Sequence, residues 1–135
     1  MTENATLPAE DMIELCTDVL ITAVEGGINY WAAVVSYEHD GMPRHRHATV
    51  VDTEEPENGE QTVHLKDIDR AMRSIAKQAF DRRPGDPRLL PDHTTRNIAG
   101  AYLAKDACPD GCADIDAEVA DVIFQVALFG EVIYG

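Results

Sequence analysis

Residues Glu25 to Val35 read EGGINYWAAVV: an acid, two glycines, an asparagine, an adjacent tyrosine and tryptophan, then an apolar run. Upstream, from about Pro8 to Val24, the residues Ile13, Cys16 or Thr17, Leu20 and Val24 recur at three-to-four spacing, with Pro8, Glu10 and Asp11 in the first turn. That pattern predicts an amphipathic helix whose N-terminus attracts acids. Gly26-Gly27 then reads as the left-handed cap that ends it. Downstream, about Asn29 to Glu38 reads as a strand, with Tyr30, Ala32, Val34 and Ser36 on one face and Trp31, Ala33, Val35 and Tyr37 on the other. Both faces are largely apolar, which predicts either a central strand or one covered by a second subunit, and hence a homo-oligomer.

Further along, Asp40-Gly41 with Pro43 marks a turn, and His47 to Glu54 reads as a second strand. The acidic loop EEPENGEQ, with its Asn58-Gly59 turn signal, leads to a short third strand at about Thr62 to Leu65. From Asp67 to about Phe80 the period becomes helical, with Ile68, Met72, Ile75 and Ala79 on one face. DRRPGDPRLLPD is an irregular connection, Asp92 or Thr94 caps a fourth element running to about Ala107, and CPDGC is a tight turn. Asp114 and Asp116 open a last helix whose VIFQVALF core, Val122 to Phe129, is apolar nearly all round, and Gly130 ends it. The expectation is one α+β domain over residues 1–135, an antiparallel three-stranded meander packed against about four helices.

A chain of 135 residues with 44% hydrophobic content supports one core. No stretch reaches the roughly 18 uncharged apolar residues of a membrane span, and MTENATLPAEDM lacks the basic and apolar parts of a secretion signal, so the expectation is a soluble, cytoplasmic protein. Three cysteines do not close a disulfide framework. The net charge is -14, with acids concentrated towards both ends and bases outnumbering them from Lys66 to Lys105. Such a surface repels nucleic acid, so broad DNA or RNA binding is not expected.

Glu25-Gly26-Gly27-Ile28-Asn29-Tyr30-Trp31, after an acidic apolar helix, resembles the EGG-x-NYW motif of small phage and prophage accessory proteins of about this size. Those chains also end in an apolar helix followed by a phrase like Phe129-Gly130-Glu131-Val132-Ile133-Tyr134-Gly135. The resemblance covers the first 38 and last 22 residues, and the middle only in layout. It implies a setting, that of a phage protein in a host cell, and no mechanism.

Four groups of residues are candidates for a site. Glu25, Asn29, Tyr30 and Trp31, brought near Glu131 and Tyr134, would join aromatic faces to polar edges, which suits a planar ligand, a protein interface or simply a core. Arg70, Arg73 and Lys77 share a helical face, and with Arg82, Arg83 and Arg88 they suit an anion or a solvated face paired to acids. His39, His45 and His47 flank one hairpin turn, with His45 and His47 at alternate strand positions, and three imidazoles suit zinc. Cys108 and Cys112 suit a metal site only with further ligands such as His93, or a local disulfide, or reduced turn positions, while Cys16 reads as buried. For nucleophilic catalysis the usual arrangements are missing: the two serines, Ser36 in a strand and Ser74 in a helix, sit in no nucleophile elbow.

The leading expectation is a non-catalytic binding protein without cofactor that engages a host protein or sequesters a small anionic, nucleotide-like ligand. The alternatives are a small metal-dependent hydrolase on a nucleotide-like substrate and a structural virion or assembly component.

Overall fold

Three helices lie against one face of a three-stranded sheet in the structure, a computed structural model that describes residues 10–81 and 116–134. Helix α1 (Glu10–Thr22) runs into a π-helical turn (Ala23–Gly27), followed by β1 (Ala32–Glu38), β2 (His47–Asp52), β3 (Glu60–His64), α2 (Leu65–Asp81) and α3 (Ala117–Phe129). The strands lie in the order β1-β2-β3, each antiparallel to the next, so the expected α+β meander is present. The expected fourth helical element and the Cys108 to Cys112 turn lie outside the described residues. Among the described residues no helix is long and apolar enough to cross a membrane.

The core joins Met12, Cys16, Val19 and Leu20 of α1, Ile68, Met72 and Ile75 of α2, and Ile123 and Phe124 of α3 to Ala48, Val50 and Val63 of the sheet. In α2 these are the expected Ile68, Met72 and Ile75, whereas in α1 Cys16 and Leu20 are joined by Met12 and Val19 and the expected Ile13 and Val24 are only half-buried; each large side chain buried this way contributes about 1.5–3 kcal/mol. Helix α3 starts and stops where its sequence directs. The Asp116 side chain accepts from Val119 N at 2.9 Å, and Gly130, at φ +82°, returns its N–H to Val126 O at 2.9 Å.

The end of α1 corrects the reading of Gly26-Gly27 as a left-handed cap. Neither glycine has positive φ. The helix instead widens, with Ile28 N donating to Ala23 O at 3.0 Å, and Trp31 N and Ala32 N then return to Ile28 O. What Gly27 supplies is room: a Cβ there would stand 2.8 Å from Ala117 O and 3.4 Å from Asp121 N, so the first turn of α3 rests directly on its backbone. At Gly26 a Cβ would meet nothing within 4 Å.

Strand β1 also differs from expectation, since among the described residues it lies at the edge of the sheet with β2 at the centre. Val34 pairs with Val50 and Ser36 with Thr49, which leaves Val35 as an extra, bulged residue, 52% exposed. A bulge shifts the two-residue period by one. Ala32, Val34 and Tyr37 therefore pair with the inward Asp52, Val50 and Ala48, whereas Ala33, Ser36 and Glu38 belong to the face turned away from the helices. The apparent two-sided apolarity of the strand was a phase error, and with it goes the argument that a second subunit must cover β1.

Gly27→Ala is expected to cost about 1–3 kcal/mol through the clash with α3, whereas Gly26→Ala should lie between neutral and about 1 kcal/mol stabilising. Urea denaturation of the two variants tests the contrast; equal effects would refute this account of the glycine pair.

Candidate functional site

Trp31 meets Tyr134, and Tyr30 joins them only through Asp121 and Gln125, in one hydrogen-bonded network. Trp31 is fully buried, its Nε1 donates to Asp121 Oδ1 at 2.8 Å, and its ring stacks on Tyr134 with centroids 5.4 Å apart and planes at 22°. Phe124 and Phe129 lie against it at 6.2 and 5.4 Å in tilted arrangements. The Tyr30 hydroxyl donates to the second Asp121 oxygen at 2.6 Å, and Gln125 Nε2 donates to Oδ1 at 2.9 Å. Asp121 and Gln125 stand four residues apart on one face of α3, so the helix that read as apolar all round carries a buried polar stripe.

Gln125 then holds the tail after α3. Its Oε1 accepts from Ile133 N and Tyr134 N, each at 2.8 Å, while its Nε2 reaches Tyr134 O at 3.1 Å. A side-chain amide thus pairs with the tail as a neighbouring strand's peptide would. The Tyr134 hydroxyl donates to buried Asp52 at 2.7 Å, and the other Asp52 oxygen accepts from Glu54 N and Glu55 N. Of the remaining candidates here, Asn29 is exposed and donates to Val24 O, and Glu25 and Glu131 are exposed. Trp31 offers no face to a ligand.

Two phenols carry the electrostatic signature of this network. Burial, then the bond to Asp121 and its charge, pushes Tyr30 up to about 12. For Tyr134 the bond to Asp52 leads, with desolvation and the charges of Asp52, Glu55 and Glu54 behind it, again to about 12. Burial raises the Cys16 thiol well above its usual range, with the charge of Asp69 adding to it, so this cysteine is an inert core residue.

The other candidate place is the sheet face turned away from the helices. Its end carries two rows across the strands: Ser36, Thr49 and Thr62, then Glu38, His47 and His64. Thr49 and Thr62 share a 2.8 Å hydrogen bond between hydroxyls, and the rings of His47 and His64 lie 6.0 Å apart. His47 Nδ1 stands 2.7 Å from His45 O. A carbonyl only accepts, so Nδ1 carries the proton, and in the neutral ring Nε2 is left to accept from the Ser36 hydroxyl at 3.1 Å. The β1–β2 loop closes over this end through a 3-10 turn (Pro43–His45). Arg46 fixes that loop, donating to Gly41 O and to Thr17 Oγ1 of α1, each at 2.9 Å.

An open cleft of about 560 Å³ results, with Arg44, His45, His47 and His64 as its basic groups, Glu38 as its acid, and Gly41 and Met42 completing the wall. His45 reaches it from the turn rather than from an alternate strand position, and His39 stacks on Tyr37 instead, 5.1 Å away. Among the described residues no three His, Cys, Asp or Glu side chains are grouped to hold a metal ion. Along α2, Arg70 pairs with Asp67 at 2.9 Å and also donates to Ala127 O, and Arg73 pairs with Asp69. That face is neutralised within its own helix, with Lys77 exposed at its end, while Arg82, Arg83 and Arg88 lie outside the described residues.

Sequence reasoning missed Ser36 and His64 as site residues. Without the bulge at Val35, Ser36 would share the inward face of Ala32 and Val34. His64 meets His47 only through the β2–β3 register, which no spacing in the chain announces. Compared with known proteins, the chain matches no family model, no curated protein and no solved structure.

Asp121→Ala leaves the Trp31 N–H buried without its acceptor, and a loss of about 2–4 kcal/mol is expected in chemical denaturation. The phenols give a pH signature. Their folded pKa values lie above the unfolded value of about 10, so their contribution is complete below pH 10 and disappears as the pH rises towards 12. The double variant Y30F/Y134F should therefore show a shallower loss of stability between pH 10 and 12 than the parent; parallel curves would contradict the assignment.

Proposed function

We propose that the protein is a binding protein that captures a small anionic, nucleotide-like ligand in the cleft at the end of the open sheet face. One observation carries this reading: Arg44, His45, His47 and His64 converge on a single cleft in a chain whose net charge is -14. A concave basic spot on an acidic surface gives an anion one favourable place to settle, and an arginine fork with the N–H donors of His45 and His64 matches phosphate oxygens. Glu38 supplies an acceptor for a hydroxyl or amine of the same ligand. In the setting implied by the EGG-x-NYW resemblance, the ligand is a metabolite of the host cell.

Engagement of a protein partner is the second reading, favoured by Tyr30 and Ile133. They are 55% and 53% exposed, and both are held to Gln125, one through its hydroxyl and the other through its backbone N–H.

Titration with inorganic phosphate and AMP, followed by backbone amide shifts, tests the cleft. The shifts should centre on residues 38–47 and His64 and weaken with added salt. Arg44→Ala and His64→Ala should each lower affinity by roughly tenfold to a hundredfold, the range of one charge-assisted bond. If neither anion shifts these residues, the anion reading fails and the exposed Tyr30 and Ile133 become the surface to pursue.

A further inference from the structure

We propose that Ser36 is a nucleophile and His47 its general base, so that the open face performs acyl transfer from carboxylic esters as well as holding a ligand. The inference goes beyond anion capture and does not require it.

The geometry points to this in three ways. The Ser36 hydroxyl donates to His47 Nε2 at 3.1 Å, and His47 Nδ1–H is anchored on His45 O at 2.7 Å, so a nucleophile, a base and a group orienting the base stand in line. That sequence of contacts is the general signature of an activated hydroxyl, here with a backbone carbonyl where a carboxylate often stands. Second, Ser36 is exposed and follows the bulged Val35 directly, a common way for a strand to present a reactive side chain, and His47 is itself a wall of the cleft. Third, Thr49 is the cross-strand partner of Ser36. Either hydroxyl can donate in the Thr49–Thr62 bond; in the arrangement where Thr62 donates, the Thr49 hydroxyl proton can turn to a developing oxyanion.

The step balances without any co-reactant but water. Ser36 Oγ forms a bond to the ester carbonyl carbon as its proton passes to His47 Nε2. The C–O bond to the alcohol then breaks, and the leaving alkoxide takes that proton. Water, giving a proton to His47, attacks the acyl-serine; the carboxylic acid leaves, and the proton returns to Ser36 Oγ.

A fluorophosphonate probe on the full chain, read by intact mass and peptide mapping, tests the proposal. The chain has two serines, and Ser74, exposed on α2, serves as the internal control. One adduct per chain is expected, at Ser36. It should be absent in Ser36→Ala, slowed by roughly a hundredfold in His47→Gln, the usual size of a general-base effect, and unchanged in Ser74→Ala. Far-UV circular dichroism confirms that each variant is folded, and Ser36→Ala, exposed and nearly isosteric, is the decisive one. Absence of an adduct on the parent protein, labelling that survives in Ser36→Ala, or a folded His47→Gln that labels at the parent rate would each overturn the assignment. Phosphate titration of Ser36→Ala separates the two readings, because retained binding with no labelling of the parent leaves capture intact and removes only the nucleophile.

Discussion

The carboxylate of Asp121 lies inside the protein and accepts hydrogen bonds from the Trp31 indole, the Tyr30 phenol and the Gln125 amide. An isolated charge there would cost several kcal/mol. Three donors on two oxygens offset that cost and make the arrangement intolerant of rotation, because another face of α3 would bring an apolar side chain to the indole N–H. The junction between α1 and β1, the roll of α3 about its axis and the tail held by Gln125 all take their positions from this one group. Gly27 complements it sterically: the backbone of α3 approaches close enough for Asp121 to reach Trp31 only because no Cβ stands between.

Much of the architecture was readable where a residue's local chemistry and its tertiary role coincide. Ile68, Met72 and Ile75 repeat at helical spacing and are buried, Asp116 and Gly130 bound α3, and the turn signals separate three strands. Reading failed where the two diverge. Gly26-Gly27 has the composition of a cap, yet the constraint on Gly27 comes from a helix some ninety residues away in the chain. Gln125 stands in an apolar run because its partners are backbone groups of the tail, which a periodicity count does not see. The bulge at Val35 has no side-chain signature at all, and it decides which way Ser36 points.

The same divergence explains why the aromatic motif drew attention as a ligand surface. Tryptophan and tyrosine combine large apolar area with one polar atom, which suits a binding surface and a core with a single buried acceptor equally well. Here the acceptors are Asp121 and Asp52, so the motif works as a clasp between distant segments. The cleft is built from commoner residues whose proximity depends on strand register and on a loop pinned by Arg46, and neither is local in the chain.

The Val35 bulge also bears on what this sheet does when two molecules meet. An edge strand offers a ladder of free backbone donors and acceptors that another chain can extend, and natural proteins interrupt such ladders to prevent it. Among the described residues strand β1 is an edge, and the extra residue breaks the two-residue repeat near its middle. An incoming strand in register with one half of β1 is out of register with the other, and loses paired bonds whichever half it chooses. The residue that turns Ser36 outward therefore also guards this side of the sheet against fibre-like growth.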